Sequence, residues 1–229
     1  MKKYSILLIS LMLLSGCQKE TFISNLDTIN NILYNFKEEL YKIEEYEYSS
    51  ISKLNNKEFI EDIVFSEDEK FFYSNSGLND ENNGVYYFVN GDYYYELNEN
   101  DLEGKKYKVN SGGITKWLET YERGRSILDV LYSSEITLLE SLKSIYEVHD
   151  NIEGIEVNAT SRDSITFSAD NYVSKEGTYS FKVVIKDYLL TCLEYSLNSD
   201  EISVNINYEA KVTLPDVNEY TFKNPLEID

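Results

Sequence analysis

The chain has 229 residues, 42% of them hydrophobic, which is too apolar for a disordered polymer and enough for one domain with a sizeable core. Its 41 acidic residues against 21 basic ones give a net charge of −20, which argues against nucleic acid as a partner and against docking on anionic lipid through a basic patch. Tyrosine is abundant, at 21 residues beside 2 Pro and 1 Trp, a bias that suits strands and half-wet surfaces.

The N-terminus opens with Met1-Lys2-Lys3, a short positive segment, followed by the apolar run Tyr4–Leu14. That run is well short of the roughly 20 residues a membrane span needs, and it reads as an export signal. Leu14-Ser15-Gly16-Cys17 follows directly and resembles the lipobox of bacterial lipoproteins: an aliphatic residue, two small residues, then cysteine. The resemblance implies cleavage before Cys17, diacylglycerol in thioether linkage on Cys17, and a lipid anchor holding the chain to the extracytoplasmic face of the cell membrane. Residues 1–16 are then the signal peptide and 17–21 a lipidated tether. Cys192 is left as a single thiol, so no intramolecular disulfide is available, and a buried, inert state is expected for it.

Phe22, Leu26, Ile29, Leu33, Phe36 and Leu40 recur in steps of four and three and predict an amphipathic helix, with Ile32 beside the stripe. Glu45–Lys53, Glu58–Phe65 and Lys70–Ser74 have strand composition. Val85–Val89 and Asp92–Leu97 flank Asn90-Gly91, a strong hairpin signal. A two-residue loop there sets Val89 opposite Asp92, Phe88 opposite Tyr93 and Tyr86 opposite Tyr95. One hairpin face then carries Tyr86, Phe88, Tyr93 and Tyr95 and is wholly aromatic. Asn98–Lys106 reads as a polar loop. Gly112-Gly113 opens a helix with Ile114, Trp117, Leu118 and Tyr121 on one side, and Gly124 is placed to end it. Ile127, Leu128 and Leu131 begin a second helix, Ser133-Ser134 could break it, and Leu138 to Tyr146 continue a helical face.

The last third alternates cleanly. Tyr179 to Ile185, Leu189 to Leu197 and Ile202 to Leu214 each place apolar residues at every second position, the mark of antiparallel strands with one dry face. Ile155–Thr160 and Ser164–Ser168 are expected to pair in front of them. Pro215 ends the last strand, and Asp216–Asp229 reads as a polar tail. The expected fold is α+β: a single curved antiparallel sheet, an open half-barrel, over residues 22–215, with helices packed on its concave face.

This order of elements, together with the lipobox and the closing Leu214-Pro215, is similar to the LolA/LppX-like superfamily of bacterial lipoproteins. The likeness covers nearly the whole mature chain in element order. It implies a cavity between the concave face and the helices, used by acyl-chain carriers and by sensor domains. Tyr86, Phe88, Tyr93, Tyr95 and Trp117 are then candidates to line it, with plain core packing as the alternative for each.

Catalytic patterns are missing. His149 is the single histidine, which nearly excludes a His-based triad or a multi-histidine metal site. No G-x-S-x-G, P-loop or G-x-G-x-x-G occurs. Asn79 to Gly84 resembles the start of a calcium loop, but Asn90 stands where a bidentate Glu is required. No metal or cofactor is expected, and the chain is not expected to be an enzyme. The expected function is a membrane-anchored binding module for an apolar or lipid-like ligand. The alternative is a protein-interaction or sensor lipoprotein with no small-molecule ligand.

Overall fold

A computed structural model describes residues 24–54, 57–78, 83–100, 104–147, 153–173, 177–200, 202–214 and 226–228. Cys17 and the lipobox, Phe22, His149 and Pro215 lie outside the described residues.

The described residues begin with helix α1 (Asn25–Glu39), closed by a short 3-10 turn over Leu40–Lys42. Six strands follow: β1 (Glu45–Leu54), β2 (Lys57–Ser66), β3 (Phe71–Leu78), β4 (Val85–Asn90), β5 (Tyr93–Asn98) and β6 (Gly104–Lys108). Helix α2 (Gly113–Tyr146) leads to β7 (Glu156–Ala159), β8 (Ile165–Val173), β9 (Thr178–Lys186), β10 (Leu189–Asn198) and β11 (Ile202–Glu209), and β12 (Leu226–Ile228) comes last. All 12 strands form one open sheet in the order β12-β6-β5-β4-β3-β2-β1-β11-β10-β9-β8-β7. Two meanders are thus joined by the antiparallel pair β1 and β11, with Tyr48 opposite Tyr208. Every pairing is antiparallel except β12 on β6.

Both helices lie on one face of this sheet. Ile29, Ile32 and Phe36 of α1 share a continuous core with Leu128, Tyr132, Leu139 and Leu142 of α2, and with Tyr46, Phe65, Phe72, Phe167, Val183, Ile185 and Tyr208 of the strands. The rings of Phe36 and Tyr132 stack at 4.5 Å, and Tyr46 lies 5.5 Å from Phe65 and 5.9 Å from Tyr208. The space between helices and sheet is filled by these side chains. Buried hydroxyls find partners, as low-dielectric surroundings require. Tyr46 donates to the Gly124 carbonyl at 2.9 Å, the Leu190 amide donates to Tyr132 at 3.1 Å, and Tyr208 donates to the Leu190 carbonyl at 3.3 Å. Burial holds the Tyr46, Tyr132 and Tyr208 hydroxyls well above the ordinary tyrosine range.

Polar contacts fix α1 over one flank of the sheet. Ser24 caps it by accepting from the Asp27 amide at 3.4 Å. The Asn25 side chain donates to the Val157 carbonyl at 3.2 Å and accepts from the Ala159 amide at 3.1 Å, so it pairs with β7 as another strand would. That contact blunts an otherwise open edge. Asn31 reaches Tyr188, which sits with Asp187 in the two-residue turn between β9 and β10, at φ +66 and +52 respectively. Positive φ is costly for a ring-bearing residue, and a type I′ turn demands it at both positions.

Several expectations are corrected. Gly124 does not end a helix, and Ser133-Ser134 does not break one, because α2 runs unbroken for 34 residues. A Cβ on Gly124 would sit 2.4 Å from the Phe65 ring, so this glycine permits close approach of helix and sheet. Ser133 and Ser134 donate to the carbonyls of Asp129 and Val130 one turn back, which lets hydroxyls stay within a helix. The hairpin loop is Gly91-Asp92, not Asn90-Gly91, with Asn90 opposite Tyr93 and Phe88 opposite Tyr95. Gly91, at φ +58, takes the position where a type II′ turn uses glycine. The polar stretch before α2 contains a strand, β6, where Tyr107 packs on Tyr94 at 6.0 Å. In β10 a register shift between Leu190 and Cys192 turns Leu190 inward in place of the neighbouring Thr191. The last long strand stops at Glu209 although its alternation continues to Leu214: the Ala210 amide still donates to its register partner, the Thr191 carbonyl, and beyond it the Thr213 amide leaves the ladder for the Glu47 carboxylate. The polar C-terminal stretch holds a strand, β12.

Candidate functional site

Tyr86, Phe88, Tyr93 and Tyr95 do share a face, but it is the reverse face, turned away from the helices. Tyr87, Val89 and Tyr94, of opposite parity, join the helix-side core, and strand alternation sends their neighbours to the other side. There Phe71, Phe88 and Leu97 form a second small core, with Tyr73, Tyr86, Tyr95 and Leu214 packed against it. Phe88 stacks on Tyr95 at 5.0 Å, and Tyr73 lies 4.8 Å from Tyr86. Glu99 closes its rim, accepting from Tyr73 at 2.8 Å and from Tyr86 at 3.4 Å. Burial first, then the Glu99 carboxylate, push the Tyr73 hydroxyl upward. Trp117 stands apart from these four, buried on α2 in the helix-side core. The five expected cavity residues are therefore not brought together.

Register assembles a different surface on the helix side. Tyr172, Tyr179, Leu197, Val204, Ser52, Phe59 and Leu78 stand opposite one another in turn across β8, β9, β10, β11, β1, β2 and β3. All but one are apolar. They continue the same strand faces that bury Phe167, Val183, Leu193, Tyr208, Tyr46 and Phe65 further along, but here Tyr172 is 43% and Phe59 47% exposed, and the other five are half-buried. Leu54, opposite Ile202, extends the band at 46% exposure. Between band and core lie the half-buried Phe181, Tyr195 and Ile206. An apolar row of this kind on a folded chain is a candidate binding surface. Its members were each legible as apolar strand positions. What sequence could not supply was the register that lines them up across seven strands.

The reverse face carries a groove of about 790 Å³ over β7 to β11. Its side chains include Glu156, Ser168, Lys182 and Glu194, which are consecutive cross-strand partners. Lys182 and Glu194 pair at 3.2 Å, and both are about half exposed. Cys192 lies half-buried on this same face, where burial first and then Glu194 push its thiol upward, away from the reactive thiolate. Among the described residues, no helix is long and apolar enough to cross a membrane, and no three His, Cys, Asp or Glu are grouped to hold a metal ion.

Compared with known proteins, the sequence matches no family profile and no curated sequence.

Proposed function

We propose that this chain is an extracytoplasmic lipoprotein, held to the cell membrane through lipid on Cys17, and that it is a non-enzymatic binding module for an apolar or lipid-like ligand. The observation that supports this reading is the partly exposed apolar band from Tyr172 to Leu78 on the helix side of the sheet. In this reading the sheet bends into an open half-barrel of LolA/LppX-like form. The helices fill one end of the concave face, and the band is the part left for a ligand. Apolar contact over such a row favours binding by roughly 25 cal/mol per Å² removed from water. The test is native mass spectrometry and solvent extraction of residues 18–229 purified from cells. A co-purifying acyl ligand that is lost in Phe59→Asp and Leu197→Asp supports the reading. Bare protein that takes up no acyl ligand on incubation with lipid counts against it.

A second reading has its own support. The band is open to solvent at Phe59 and Leu54, while the space under the helices is filled by Phe36, Tyr132, Phe65 and Tyr208. An open apolar surface over a filled interior suits a partner protein as well as a small ligand. Crosslinking from residue 59 in cells separates the two, since a partner gives one discrete adduct and a lipid ligand gives none of protein size.

A further inference from the structure

Strand β6 is the last strand of the meander, and a sheet edge offers unpaired amides and carbonyls to any extended segment. Here that edge is taken by β12, just three residues long, in parallel register with Leu226 opposite Lys105, Glu227 opposite Lys106 and Ile228 opposite Tyr107. Apolar burial holds it only through the half-buried Ile228, since Leu226 is 66% exposed. The specific contacts converge on one carboxylate. Glu227 lies 3.4 Å from Lys106 and 3.5 Å from Lys108, and Tyr93 donates to it at 3.1 Å. Lys106 also lies over the Tyr93 ring at 4.6 Å, so ring, ammonium and carboxylate form one cluster. Lys105, Lys106 and Lys108 gather three of the chain's 21 basic residues within four positions, in a protein that is otherwise strongly acidic.

These features have the form of β-strand addition: main-chain pairing supplies affinity and one side-chain position supplies selectivity. We infer that the edge of β6 is a strand-accepting site for an extended acidic peptide segment of a partner protein, with Lys106, Lys108 and Tyr93 reading the carboxylate, and that the chain's own C-terminal strand occupies it in cis. The resident strand competes by its high effective concentration, so a partner gains entry when the Glu227 contacts are weakened. The inference rests neither on the lipid anchor nor on the apolar band.

The test uses the full mature chain and a fluorescent peptide of residues 224–229, followed by anisotropy. Glu227→Ala, which loosens the resident strand, is expected to bind the peptide at least tenfold more tightly than the wild-type chain. Adding Lys106→Glu and Lys108→Glu to that variant abolishes binding of this peptide. The same triple variant is expected to take up a peptide bearing Lys at the Glu227 position, which shows that its edge is still folded. Failure of the Glu227→Ala chain to bind, or equal binding whatever the charges at 106 and 108, overturns the inference.

Discussion

Two ends of the same strands differ in depth although their residues alternate alike. At one end Tyr46, Phe65 and Tyr208 are fully buried under the helices. Further along the same faces of β1, β2 and β11, Leu54 and Phe59 are nearly half exposed and Ile202 is 39% exposed. Alternation therefore decides which face a side chain joins, and the helices decide how deep it lies. The apolar content of the far end exceeds what the fold itself consumes, and that surplus is where the proposed binding is placed.

The largest effect sharpens this contrast directly. Phe65→Ala should cost about 3–5 kcal/mol in urea unfolding, from lost transfer energy and a cavity. Phe59→Ala should cost under about 1 kcal/mol, as a surface change does. Similar losses at the two positions would break the comparison. Next comes Gly124→Ala. Overpacking against Phe65 costs about 1–3 kcal/mol, while alanine gains about 1 kcal/mol in helix propensity. A lower Tm is expected, and a higher one would mean that helix and sheet are not in tight contact there. Thr120→Val follows. Thr120 donates to the Lys116 carbonyl at 2.9 Å, so the Tyr94 hydroxyl donates to Thr120 at 2.8 Å. Removing the acceptor leaves a buried hydroxyl unpaired, with a loss of about 1–2 kcal/mol in chemical denaturation.

The smallest effect concerns the sheet edge. Hydrogen bonding from Tyr93, then the neighbouring Lys106, holds the Glu227 carboxyl below its ordinary value of 4.5. A carboxyl lowered in the folded state contributes stability above its unfolded value and loses it as pH falls through the folded one. Amide protection at 226–228, taken relative to the intrinsic exchange rate at each pH, should therefore fall selectively on acidification below about pH 4, ahead of protection in β1 and β11. Simultaneous release of all three strands would contradict a separately held β12.

Much of the fold was legible. The α1 stripe through Ile29 and Phe36, the alternation in β9 to β11, and the shared face of Tyr86, Phe88, Tyr93 and Tyr95 all follow from local periodicity. Three features were not, for physical reasons. Periodicity tells which hairpin residues share a face, but not which face meets the helices, so Phe88 and Trp117 were expected together and lie apart. Gly124 carries no local sign that a phenylalanine some sixty positions earlier needs its missing Cβ. β12 is a strand only because β6 lies beside it, a pairing across more than a hundred residues that no window of sequence contains.

The pairing of β1 with β11 has a consequence for how the molecule comes into being. Tyr48 and Tyr208 are 160 residues apart in the chain, so this seam closes only after almost everything else has been made. Until then the earlier meander carries the long flank of β1 unsatisfied, the kind of surface on which nascent chains cohere. Glu45, Glu47 and Lys53 place charges beside that flank, the kind of residue that hinders edge-to-edge pairing with a second chain.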